Sequence, residues 1–92
     1  MEEYVEENKA LIEDRLLVAK TSYELISGQK KQLDEFCVKI AGLMDQLKTN
    51  DAKQELAQLT QVNFKTMIEM EMQLAQLEKS IEELEWLQRK LF

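Results

Sequence analysis

Val5, Ile12, Ala19, Ile26, Leu33, Ile40 and Leu47 stand on one uninterrupted seven-residue ruler, and every one of them is apolar. Apolar residues held at that spacing predict one long helix whose seam follows a neighbouring helix, because a seven-residue repeat keeps one stripe of a slightly under-wound helix turned toward its partner. The second half of the chain has its own heptads. With Met67, Leu74 and Ile81 at the first core position, Leu56, Met70, Leu77, Leu84 and Leu91 occupy the second, and Leu59 and Leu87 flank the seam.

Turn formers cluster once, at Thr49-Asn50-Asp51. Asp51 is a good helix N-cap, and Gln54 three residues later completes an approximate capping box. The pattern therefore predicts helix one over about 2–48, a turn at 49–51 and helix two over about 52–92, together a single helical-hairpin domain spanning 1–92. Ser27-Gly28 is the rival break point, since a glycine inside a helix costs about 1 kcal/mol relative to alanine. The ruler argues for a continuous helix, because Ile26 and Leu33 flank the glycine without a slip in phase. Closing the hairpin at the predicted turn makes facing residue numbers sum to about 103. Leu33 then meets Met70, Ile26 meets Leu77, Ala19 meets Leu84 and Ile12 meets Leu91, apolar against apolar in each layer.

Both helices carry more apolar surface than one pairing uses. On helix one, Leu11, Val18 and Leu25 widen the stripe to about half the circumference, which faces more than one neighbour. On helix two, Phe64, Ile68, Met72, Ala75 and Trp86 form a second apolar face roughly opposite the Met67–Leu84 seam. Aromatic residues and methionine are enriched at interface cores. These eight residues are the candidate partner-binding set, against the alternative of scattered surface hydrophobes. The expected architecture is all-α: an antiparallel helical hairpin, coiled-coil-like, packing into a three- or four-helix or larger bundle with partner helices.

A polar line, Asn8, Arg15, Ser22 and Gln29, is also spaced by seven and falls in the middle of helix one's apolar arc, where polar groups must find partners. In the hairpin register Arg15 faces Gln88, with Glu85 one turn earlier as a counter-charge. A matched polar layer of this kind sets register at some cost in stability. The competing reading lays the Arg15 stem along the edge of the bundle and leaves its head in water. Near the turn, Thr60 and Asn63 make helix two similarly polar within its own seam.

Composition agrees with the pattern. The 92 residues include no proline and two glycines, and Glu, Leu, Lys, Gln, Met and Ala, all good helix formers, dominate. Net charge is −6 and is shared by the two halves, with Lys30-Lys31 and Arg89-Lys90 the only adjacent basic pairs. That distribution argues against binding nucleic acid or an anionic membrane, where clustered base drives affinity. The acidic start and the lack of a long apolar run predict a cytoplasmic chain. Cys37 is the single cysteine and there is no histidine, so the thiol lacks an activating base and reads as a small buried apolar group. Carboxylates lie mostly away from the seam, with no metal-ligand spacing and no glycine-rich phosphate loop. Met67, Met70 and Met72 read first as core filling. No enzyme, metal or cofactor is expected.

The expected function is a non-enzymatic, protein-binding subunit, a scaffold or adaptor that bundles with other α-helical chains, a different chain being favoured and a homodimer the other arrangement. A partner that chaperones a secreted helical cargo is the alternative from another class. In length and central turn the chain resembles the small helical-hairpin proteins of type VII secretion. Those carry Trp-x-Gly at the turn, whereas here the turn is Thr49-Asn50-Asp51 and the one tryptophan is Trp86. The likeness is one of architecture, and no residue role is carried over from it.

Overall fold

The computed structural model describes residues 2–92, with side chains described from Glu6 onward. Two long helices, α1 (Glu2–Met44) and α2 (Asn50–Leu91), account for nearly all of it. They lie side by side as a rod of 72 × 15 × 15 Å. The helix runs unbroken through Gly28, as the ruler requires, and no glycine adopts a positive φ among the described residues.

The register follows the seam. Ile26 and Leu77 line one groove together, as do Leu47 and Leu56. Two ion pairs bracket the same alignment, Lys20 Nζ to Glu85 Oε1 at 3.3 Å and Lys30 Nζ to Glu71 Oε1 at 3.0 Å. At the open end the Lys9 ammonium lies 5.9 Å from the centre of the Phe92 ring.

The turn departs from expectation. Helix one ends at Met44 rather than near Lys48, and the connection covers 45–49 instead of 49–51. Its first residues tighten into three-residue steps, Gln46 N–H donating to the Leu43 carbonyl at 3.0 Å and Leu47 N–H to Met44 at 3.4 Å. No basic residue occupies the last turn of α1, and Asp45 follows it directly, so the negative end of the helix dipole meets an acid. The N-cap of α2 is Thr49 rather than Asp51. Its extended backbone (φ −106°, ψ 143°) turns the hydroxyl back to accept from Ala52 N–H at 3.3 Å. Asp51 lies one residue into the first turn, where its charge favours the helix N-terminus.

Candidate functional site

Burial in the hairpin is sparse. Among the described residues only Ile12, Leu16, Ala19 and Ile40 are buried, all on α1, and α2 contributes none. Ile40 is the most enclosed, at 2% exposure. Most of the rest of the seam, including Leu33, Met67, Met70, Leu74, Leu77, Ile81 and Leu84, is half-buried, Leu91 at the open end is exposed, and Cys37, which was expected to be enclosed, is half-buried. Two helices cover each other on one side only, so a seam residue keeps part of its surface in water.

All eight candidate partner-binding residues are exposed: Leu11, Val18 and Leu25 on α1, and Phe64, Ile68, Met72, Ala75 and Trp86 on α2. They do not share one surface. Phe64 and Ile68 line a shallow groove with Thr60, Gln61 and Lys65. Met72 and Ala75 continue that line at helical spacing. Trp86 stands apart, beyond Glu78, Lys79, Glu82 and Glu83, in a pocket with Glu82, Glu83 and Leu87, and Lys90 Nζ lies 5.8 Å from its ring centre.

The two long edges of the rod differ. Lys20, Glu71 and Glu85, the partners in ion pairs, mark one edge, and Phe64 is spaced by seven from Glu71 and so belongs to it. The other edge is marked by two grooves. One is lined by Ser22, Ile26, Gln73, Gln76, Leu77 and Ser80, the other by Leu43, Leu47, Ala52, Glu55, Leu56 and Leu59. Leu11, Val18 and Leu25 flank this second edge, four residues N-terminal to Arg15, Ser22 and Gln29 in turn. Phe36 and Leu43 on α1 with Val62 on α2, all exposed and outside the eight residues picked from the helical pattern, continue this edge. Their signal is present as a change of step: after Leu25 the apolar line moves by eleven residues to Phe36 and then by seven to Leu43. Leu17 and Val38, also exposed, lie on the outer side of α1.

The polar line belongs to this same edge rather than to the interior. Ser22 is half-buried and Arg15 is exposed. Gln88, half-buried, makes no bond to Arg15, and Glu85, expected as the counter-charge of Arg15, is bonded to Lys20. Of the polar seam residues near the turn, Thr60 satisfies itself by donating to the Leu56 carbonyl at 2.9 Å. Asn63 does not: its Nδ2 is buried without an acceptor.

Among the described residues no group of three or more Cys, Asp or Glu side chains is placed to hold a metal ion, and no helix is long and apolar enough to cross a membrane. No protein-family model, curated protein or solved structure matches the chain.

Proposed function

We propose that this hairpin is a non-enzymatic protein-binding subunit, a scaffold or adaptor that completes a helical bundle with itself or with other helical proteins. One observation carries the reading. The chain exposes 7580 Å², whereas a compact monomer of its mass, 10.8 kDa, exposes about 5,500 Å². The excess, about 2,000 Å², is of the order that permanent protein interfaces remove from water. Much of it is large apolar side chains that a solitary domain would enclose, Val18 at 58%, Leu25 at 62% and Phe64 at 58% exposure among them.

Association stabilises the folded chain by mass action, so the unfolding temperature must rise with protein concentration. Thermal melts of the isolated chain between about 2 and 200 µM should show that rise, or else a broad, weakly cooperative transition that sharpens when a helical partner is added. A sharp transition at one temperature across the whole range, from a chain that light scattering finds monomeric, would sink the reading.

A further inference from the structure

We infer that the uncharged edge of the hairpin is the binding face for a second copy of this chain, giving a four-helix bundle; this rests on the bundling role proposed above and names its partner.

Charge separates the two edges. Along the edge holding the Ser22–Ser80 and Leu43–Leu59 grooves, the positions run in steps of seven from Asn8 to Leu43 on α1 and from Ala52 to Leu87 on α2. Of those twelve positions only Arg15 is ionised. The opposite edge runs in steps of seven from Glu6 to Ala41 and from Ala57 to Phe92, and seven of its twelve positions are charged, six acidic and one basic. Two copies apposed across the acidic edge would set five net negative charges against five more. Like charges brought together at an interface oppose association. Across the other edge the charged groups are Arg15 and, at the rim of the Leu43–Leu59 groove, Glu55, both exposed and long enough to keep their heads in water.

Chemistry along the neutral edge is self-complementary. Its middle is hydroxyl and amide: Ser22, Gln29, Thr66, Gln73 and Ser80. Each of these groups both donates and accepts, so a strip of them satisfies an identical strip, which a strip of one charge cannot do. Apolar residues gather toward both ends, Leu11, Val18 and Leu87 beside Asn8 and Arg15 at the open end and Phe36, Leu43, Leu59 and Val62 toward the turn, with Leu25 between Ser22 and Gln29 in the middle. A two-fold contact therefore sets apolar ends on apolar ends whichever way the second copy runs.

Size agrees as well. A face 72 Å long and 15 Å wide is about 1,000 Å² per copy, or about 2,000 Å² for the pair, within the range of stable dimers. An unrelated partner would need a strip of the same length with as few charges, and a second copy has one by construction.

Sedimentation equilibrium at about 20 µM, paired with circular dichroism, tests the inference. The wild-type chain should sediment at twice its 10.8 kDa mass. Val18→Glu/Leu25→Glu should sediment as a monomer of retained helicity, and Phe64→Asp/Ile68→Asp, on the acidic edge, should remain dimeric. Should the double glutamate variant fail to fold, Leu25→Gln takes its place and should raise the dimer dissociation constant at least about tenfold, since the contact is lost twice in a symmetric pair. A dimer that Phe64→Asp/Ile68→Asp dissociates and Val18→Glu/Leu25→Glu leaves intact overturns the choice of edge while leaving the bundling role standing. So does a chain that is poorly folded alone and gains structure only with a different helical protein, which overturns the second copy as partner. A cooperatively folded monomer overturns both.

Discussion

Asn63 shows how much one side chain costs a core this thin. It lies in the α2 seam at the level of Ile40, and its buried Nδ2 has no acceptor. Leaving a buried amide donor unpaired costs about 1–3 kcal/mol. Asn63→Leu should therefore raise the free energy of unfolding by about that much in urea titrations, with the slope unchanged. Loss of stability instead would mean that the amide has a partner in solution. Thr60, one turn earlier, should give no comparable gain, because its hydroxyl is already bonded to the Leu56 carbonyl. Residue identity alone marked both positions as polar interruptions of the seam. Which one was satisfied depended on the reach of each side chain, since a threonine finds the carbonyl of its own preceding turn and an asparagine amide needs one from elsewhere.

The helices and their pairing were legible because the seven-residue ruler is redundant. Ile26 against Leu77 needs only that two apolar lines face each other, and the Lys20–Glu85 and Lys30–Glu71 pairs close on the same alignment. The turn was not legible to better than four residues, for a definite reason. Leu47 stays on the ruler after the helix has ended and still packs beside Leu56, so the apolar rhythm continues through the loop and hides where α1 stops. The cap was placed on Asp51, two residues late, because threonine and aspartate both cap well and only the backbone shows which one turns its oxygen to a free N–H. Gly28 gives a direct test of helix continuity. A Cβ built there meets nothing within 4 Å, and the residue has ordinary helical backbone. Gly28→Ala should stabilise the chain by about 0.5–1 kcal/mol in denaturant titrations, chiefly by narrowing the unfolded ensemble. A destabilising result would place another chain closer to that surface than the hairpin alone does.

At the scale of the whole molecule, the separation of the surface residues into two edges is what composition and periodicity could not supply. Leu25 and Phe64 each announce an exposed apolar position, but which of them share a side depends on how the helices pair, and the pairing of Lys20 with Glu85 settles that. Shape then offers a check on assembly. The radius of gyration is 20.6 Å and reflects length far more than width. Adding a second hairpin alongside, with helices about 8–10 Å apart, should double the forward scattering in small-angle X-ray measurements and raise that radius by only about 1 Å. Copies joined end to end would nearly double it, an outcome incompatible with a lateral bundle.

The buried residues are unevenly placed along the rod. Ile12, Leu16 and Ala19 lie toward the open end and Ile40 toward the turn, while from Lys20 to Lys39 nothing is fully enclosed. The hairpin is thus fastened like a strap with a buckle at each end and slack between, and local opening costs least where buried contacts are fewest. Ser22, Gln29, Gln73 and Ser80, the hydroxyl and amide stretch of the neutral edge, fall in that slack. A neighbour laid along the edge would grip the hairpin where it grips itself least, so recruiting a partner and stiffening the rod become a single event.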